Sequence, residues 1–214
     1  MSENHIKKIS IIDYGIGNIA NVLAAINFCG AEGKVITNYK DIESSDYIIL
    51  PGVGAFKYAM KQLIDKNMIG SIKNHILKEK PFLGICLGMQ LMLNKSYEFG
   101  EIDGLGIIEG EVISIKSQMP TNKAFKIPHI GWNKLIENYD SNNIYSNSLN
   151  DKYMYFVHSF YANCKSLNNV IASVDYNKII MPAIIQHKYS YGCQFHPEKS
   201  GPEGLKIMKR FIDE

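Results

Sequence analysis

Pro81-Phe82-Leu83-Gly84-Ile85-Cys86-Leu87-Gly88-Met89-Gln90 is the stretch around which the rest of this chain is organised. Pro81 to Ile85 is a short apolar run of the kind that forms a buried strand. Gly84 to Gly88 then puts Cys86 in the nucleophile position of a G-x-nucleophile-x-G turn, and Gln90 to Leu93 continue as a helix. A strand that bends sharply into a helix lifts the residue at the bend out of the sheet. Strand and helix come so close there that a Cβ would collide, which is the reason for Gly84 and Gly88. The positive end of the helix dipole favours an anionic sulfur at Cys86. Free cysteines are commonly inert and buried, but glycines on both sides at this spacing favour a nucleophile.

Upstream, Ile6 to Asp13 reads as a first strand, and Asp13-Tyr14-Gly15-Ile16-Gly17-Asn18 as a glycine-bearing turn. The third glycine of a dinucleotide fingerprint is Asn21 here, so a tight strand-to-helix turn is the better reading. Asn18 is placed to cap a helix running to about Cys29, with Gly30 as its stop. Lys34 to Thr37 and Asp46 to Leu50 are further strands. Pro51-Gly52-Val53-Gly54 closes the latter. That loop fits two readings: exposed backbone N–H groups binding a ligand at a strand's C-terminal end, or an ordinary turn. Phe56, Ala59, Met60, Leu63 and Ile64 form one face of the next helix, and Ile69 to Lys78 another helix that stops before Pro81.

Downstream the pattern changes. Glu111 to Lys116, Trp132 to Ile136, Tyr153 to Val157, Phe160 to Asn163, Val170 to Tyr176, Ile179 to Gln186 and Gly192 to Phe195 are strand-like, several with alternating polarity. Asn138 to Asn150 reads as a polar loop with a short helical turn. A last helix begins near Pro202 with Leu205, Met208 and Ile212 on its buried face. The fold class is therefore α/β: an open, mostly parallel central sheet flanked by helices, with an additional antiparallel section in the C-terminal half.

The chain has 214 residues, 46% hydrophobic, enough for one sizeable core and consistent with one domain over 1–214. Net charge is +2 and the lysines are scattered without a basic stripe, which excludes a nucleic-acid partner as the expectation. The 4 cysteines, at 29, 86, 164 and 193, form no CxxC pair and no zinc spacing, so no metal is expected. Met1 to Lys8 lacks the apolar core of a signal peptide, and Phe82 to Leu93 is too short and glycine-marked to span a bilayer. The expectation is a cytoplasmic protein with reduced thiols and no membrane partner.

A nucleophilic cysteine needs a base, and the base an orienting group. Of the 6 histidines, His5 lies at the N-terminus and His75 on a helix expected at the surface. His129, His158, His187 and His196 remain. Only His196 stands in a strand–turn with a carboxylate two residues on, in Gln194-Phe195-His196-Pro197-Glu198. Pro197 stiffens the link. His196 facing Cys86 with Glu198 on its other nitrogen would form a Cys-His-acid triad. Spacing alone leaves open a satisfied core histidine.

Gly84-Ile-Cys86-Leu-Gly88-Met-Gln90 together with Gln194-Phe-His196-Pro-Glu198 resembles the signature of the class I (triad-type) glutamine amidotransferases. Asp13 to Asn18, Pro51 to Phe56, Lys126 to Asn133, Tyr155 to Ser159 and His196 to Ser200 are similar, in order and spacing, to the glutaminase subunits of imidazole glycerol phosphate synthases. The resemblance covers essentially the whole chain. It implies hydrolysis of glutamine through a Cys86 thioester without a cofactor, with His196 and Glu198 completing the triad. It implies an oxyanion hole from the Leu87 N–H and an N–H of the Gly52-Val53-Gly54 loop, most directly that of Val53. It implies that Gly54, Gln90, Glu98, Ser159 and Phe160 hold the zwitterionic substrate. Glu98 would meet the ammonium; a solvent-facing carboxylate is the alternative.

The same resemblance implies a (β/α)8-barrel cyclase subunit as partner in a heterodimer. The cyclase would use the ammonia to make imidazole glycerol phosphate in histidine biosynthesis. Trp132, Asn133, Tyr155, His158 and Lys199 would belong to the junction. Two stretches depart from the pattern: Ile19-Ala20-Asn21, where relatives carry a basic residue, and Asn94-Lys95-Ser96, which replaces an acidic run. They keep alive a paralogue feeding ammonia to another synthase, such as one amidating a surface sugar. A catalytically silent regulatory subunit and a freestanding thiol hydrolase are the remaining rivals.

Overall fold

The computed structural model describes residues 6–120, 125–138, 144–145 and 148–214. Most of the polar loop expected between Asn138 and Asn150 lies outside the described residues, as does His5. The first half alternates as the sequence predicts: β1 (Lys8–Ile12), α1 (Ile19–Phe28), β2 (Glu32–Ile36), α2 (Tyr39–Glu43), β3 (Tyr47–Gly52), α3 (Phe56–Asp65), α4 (Met68–Leu77), β4 (Phe82–Cys86) and α5 (Leu87–Leu91). Strands then dominate: β5 (Leu93–Ser96), β6 (Ile102–Asp103), β7 (Ile108–Ser114), β8 (His129–Glu137), β9 (Tyr153–His158), β10 (Phe160–Cys164), β11 (Val170–Tyr176), β12 (Ile179–His187) and β13 (Ser190–Cys193), before α6 (Gly201–Asp213).

The large sheet runs β2-β1-β3-β4-β13-β12-β11-β8-β9. It is parallel from β2 to β13 and antiparallel from there to β9. A second, mixed sheet has the order β10-β7-β5-β6. The parallel strands are apolar on both faces because helices cover both. Ile9, Ile11, Ile49, Leu83 and Ile85 pack with Val22 and Ile26 of α1 and Ile207 and Phe211 of α6. Ile12, Ile48, Leu50 and Phe82 point the other way, onto Phe56, Met60 and Leu63 of α3 and Ile72 of α4.

One pairing positions the chemistry. β13, from the C-terminal end of the chain, inserts beside β4, with Cys193 opposite Ile85, while Gly52 of β3 pairs with Cys86 on the other side. The segment leaving β13 therefore emerges next to Cys86, at the C-terminal edge of the parallel strands where open α/β sheets bind ligands.

Several local expectations are corrected. The helix after Cys86 ends at Leu91, and Leu93 already belongs to β5, because β5 pairs with β7 and buries Leu93 fully. Ile64 is 58% exposed: α3 turns it off the apolar face that Phe56, Ala59, Met60 and Leu63 bury. Asn18 precedes α1 but its side chain makes no capping bond; its carbonyl accepts from Val22 instead. His75 is buried, with Nε2 3.0 Å from the Pro81 carbonyl, so it pins the entry to β4. Burial holds its imidazole below the usual range. The short α2 was readable from Asn38, whose Oδ1 accepts the Asp41 N–H at 3.0 Å.

Candidate active site

Cys86 sits at φ +54° and ψ −107°, in a region that costs a non-glycine residue about 1–3 kcal/mol. The packing that enforces this is visible at its flanks. A Cβ on Gly84 would lie 2.6 Å from the Gly88 carbonyl oxygen, and one on Gly88 only 1.8 Å from the Leu50 carbonyl oxygen. Both obstacles are backbone. The bend thus presents Cys86, 6% exposed, at the junction of β4 and α5.

His196 is held by the main chain around it. Its N–H donates to the Tyr155 carbonyl at 3.0 Å, and its carbonyl accepts from Ser200 Oγ at 2.7 Å. Ser200 Oγ in turn accepts the Tyr155 N–H at 3.0 Å, so one hydroxyl ties β9 to the His-Pro-Glu turn. The start of α6 packs directly beneath that turn: a Cβ on Gly204 would meet the Pro197 carbonyl oxygen at 2.1 Å. In the side chains, His196 Nδ1 lies 2.9 Å from Glu198 Oε1, with both side chains almost completely buried. A carboxylate only accepts, so Nδ1 carries the proton of that bond. Nε2 points the other way, buried and without a hydrogen-bond partner among the described residues, and His196 lines the same cavity as Cys86. Burial works against charging the imidazole, but Cys86 and Glu198 together outweigh it and raise the ring from 6.5 to about 10.

That cavity has a volume of about 450 Å³ and suits an amino-acid-sized ligand. Val53 and Gly54 form one wall, with Val53 exposed and Gly54 at φ +91° in open space. Leu87 and Gln90 line the floor from α5. Ser159 and Phe160 close the side between β9 and β10, and Glu98 lines the cavity while its Oε2 accepts the Phe56 N–H at 2.7 Å. Glu98 therefore caps α3 at the cavity edge rather than hanging in solvent. Gly52 does not line the cavity; it stands behind it, where a Cβ would strike Tyr14 Oη at 2.6 Å.

Of the residues expected at a partner junction, Trp132 and Tyr155 face each other across β8 and β9, ring centroids 5.9 Å apart, with Trp132 52% exposed. Lys199 is exposed immediately after Glu198, and Asn133 is partly buried. His158 does not share this outward face. It is buried, lines the cavity, and lies with Nε2 2.9 Å from His129 Nδ1. Burial, with His129 second, pushes the His158 imidazole down to about 3, so it stays neutral at ordinary pH. His129 Nε2 reaches Asn133 Oδ1 at 2.8 Å. The sequence reading assigned no role to Ser200, His129 or Gln194. Gln194 had a legible signal: it lies two residues before His196, and in extended backbone that spacing puts both on one face.

A match to the family Glutamine amidotransferase class-I spans residues 10–214. The chain belongs to the class-I glutamine amidotransferases. Within that family it is 44% identical over 208 residues to Imidazole glycerol phosphate synthase subunit HisH 1 of Legionella pneumophila (strain Lens), covering 95% of this chain and 98% of that protein. It is 46% identical over 208 residues to the HisH subunit of Lactococcus lactis, covering 97% and 99%. The solved structure of PurLQS from Thermotoga maritima matches with a TM-score of 0.73 at 18% identity, over 97% of this chain and 98% of that one, which bears on the fold. No described helix is long and apolar enough to cross a membrane.

For this amidotransferase the charge balance of the site gives a direct test. Burial lowers the His196 imidazole, and of the groups that raise it Cys86 does the most. In Cys86→Ala, burial opposes protonation with only Glu198 left to support it. The His196 titration midpoint, followed by imidazole NMR, is expected to fall well below about 10. A midpoint unchanged in the variant would mean the sulfur and the ring do not communicate.

Proposed function

We propose that this chain is the glutaminase subunit of an imidazole glycerol phosphate synthase, with Cys86, His196 and Glu198 as its catalytic triad. The observation that carries the reading is one cavity that joins a strained cysteine to the free nitrogen of a carboxylate-anchored histidine. The full-length relatives at 44–46% identity supply the assignment to the synthase.

In the mechanism, the Cys86 sulfur attacks the carboxamide carbon of glutamine and the carbonyl π electrons move to oxygen. The Leu87 N–H, and the Val53 N–H once its loop turns inward, donate to that oxyanion. His196, having taken the thiol proton, gives it to the departing nitrogen, and ammonia leaves a glutamyl thioester. Water, deprotonated by His196, then releases glutamate and the thiol. Glu198 fixes the ring orientation throughout. Glu98, Gln90, Ser159 and Phe160 hold the amino-acid end. The exposed Val53 loop and the Trp132–Tyr155 face support docking of a (β/α)8-barrel cyclase that receives the ammonia, with Asn133 and Lys199 at the rim. Asn94, one of the departures from the pattern, serves the small sheet: its Oδ1 accepts the Gly110 N–H at 2.9 Å. It therefore gives little support to the paralogue.

The test is a glutaminase assay with and without the candidate cyclase and its ligand. Activity is expected to be low for the isolated chain and to rise at least about tenfold in the liganded complex, equivalent to roughly 1.4 kcal/mol of transition-state stabilisation. Equal activity alone and in the complex would favour a freestanding hydrolase. An active glutaminase that fails to rescue a histidine auxotroph would favour a paralogous synthase.

A further inference from the structure

We infer that Gln194 stabilises the anionic form of the Cys86 sulfur by donating a side-chain N–H to it. Gln194 is fully buried, and its Nε2 lies 3.7 Å from Cys86 Sγ. This inference rests on Cys86 being the nucleophile.

The direction of that bond follows from counting donors and acceptors. The Phe160 carbonyl only accepts, and it has two lone pairs. His158 Nδ1 takes one at 2.9 Å and Gln90 Nε2 the other at 2.9 Å. The amide of Gln90 is thereby oriented with its NH₂ toward Phe160. The second hydrogen of that NH₂ goes to Gln194 Oε1 at 3.1 Å. Gln194 must then turn its own NH₂, not its oxygen, toward the sulfur. A backbone carbonyl in β10 thus sets the polarity of two consecutive amides and delivers a donor to Sγ. Flipping Gln194 would set oxygen against sulfur and leave the Gln90 donor facing another donor. With both Gln90 hydrogens committed, its Oε1 is the atom it has left to offer the cavity.

Another close polar neighbour of the sulfur works in the opposite sense. The Val157 carbonyl, 4.0 Å away, can accept from a thiol but offers nothing to a thiolate. The titratable groups facing Cys86 from the surrounding elements are His196, His158 and Glu98 across the cavity, Tyr14 after β1 and Cys193 on β13. Glu198 acts through His196. His196 supplies the positive charge; Gln194 adds a neutral donor fixed before any substrate arrives, so no reorganisation is needed when charge develops.

The experiment is alkylation of Cys86 by iodoacetamide as a function of pH, on the full chain, with modification mapped by peptide mass spectrometry and Cys86→Ala as the blank. Gln194→Met keeps the bulk and removes the donor. It is expected to slow alkylation near neutral pH roughly tenfold and to move the pH midpoint up by about one unit. Gln194→Glu keeps an acceptor for Gln90 but turns a carboxylate oxygen to the sulfur, and is expected to move it further. A purely structural Gln194 would lower the melting temperature and leave the midpoint in place in both folded variants, which overturns the proposal. A measurement on the unsubstituted protein decides the matter even if neither variant folds. The side-chain amide resonances of Gln194 should shift with the same pH midpoint as the alkylation rate, and resonances that do not move across that range overturn it. None of these readouts uses glutamine or a partner, so their failure is separate from failure of the glutaminase assay.

Discussion

Replacing Cys86 by Ala is expected to abolish glutamine-dependent synthesis by the complex, by at least about four orders of magnitude in turnover, while ammonia-dependent synthesis persists. Removing the nucleophile of a triad leaves only positioning and the oxyanion hole. Neither of these supplies a second path for breaking a carboxamide bond. Free ammonia bypasses this chain's chemistry, so a docked but inert Cys86→Ala subunit leaves the cyclase reaction intact. The substitution also suits the local backbone. Ala carries a Cβ like Cys and keeps the φ of +54° as strained as before, so the melting temperature should stay close to that of the parent. A Cys86→Gly variant relieves that strain and is expected to be equally dead but more stable, by about 1 kcal/mol. The two variants therefore separate chemistry from folding. Equal loss of glutamine- and ammonia-dependent synthesis in Cys86→Ala would instead make this chain a scaffold that its partner needs for shape.

Residues close in sequence announced their part in this site; residues brought together by the sheet did not. Gly84, Cys86 and Gly88 were readable as a bend because a tight strand-to-helix turn imposes its steric demand within a few residues. The periodicity of Phe56, Ala59, Met60 and Leu63 gave α3 its buried face in the same way. The neighbourhood of Cys86 could not be read like this, since it depends on β13 pairing with β4, with Ser190 opposite Phe82, and pattern alone does not choose a strand's neighbour so far away in the chain. His158 was misplaced for a related reason. Alternation along β9 puts Tyr155 and Val157 on one face and Phe156 and His158 on the other, and only the fold tells which face looks out. His75 likewise sits on a helix that looked solvated until α4 docked with it against Pro81. Asn94 to Ser96 read in the sequence as a charge departure, whereas in the fold their first task is pairing β5 to β7. The Cys86 bend and the His196–Glu198 pair were legible from two short motifs, whereas the amides and carbonyls around them, Gln194, Gln90 and Phe160 among them, carry no sequence mark of their polarity.

Gly88→Ala is expected to be the most damaging single methyl in the protein. The added Cβ would lie 1.8 Å from the Leu50 carbonyl oxygen and 3.0 Å from its carbonyl carbon. Those atoms belong to β3, a central strand held on both sides by β1 and β4, so they cannot step aside as a flexible side chain would. Relief has to come from α5 moving off the sheet. That movement drags Leu87 and Cys86 with it and opens the contact between Gly84 and the Gly88 carbonyl, where a Cβ at 2.6 Å already marks the limit of approach. Overpacking with rigid backbone on both sides falls at the top of the usual range, about 3 kcal/mol or more. For a chain of this size that corresponds to a fall in melting temperature of roughly 6–12 °C, with glutaminase activity lost before unfolding begins. Gly70→Ala is the matched control. Gly70 lies within α4 with nothing within 4 Å of an added Cβ, and there the same methyl should stabilise by up to about 1 kcal/mol through helix propensity. The opposite signs of the two shifts test whether the close approach of α5 to β3 is what holds Cys86 in its strained position. If Gly88→Ala melted no lower than the parent, the bend would owe its shape to something other than that contact.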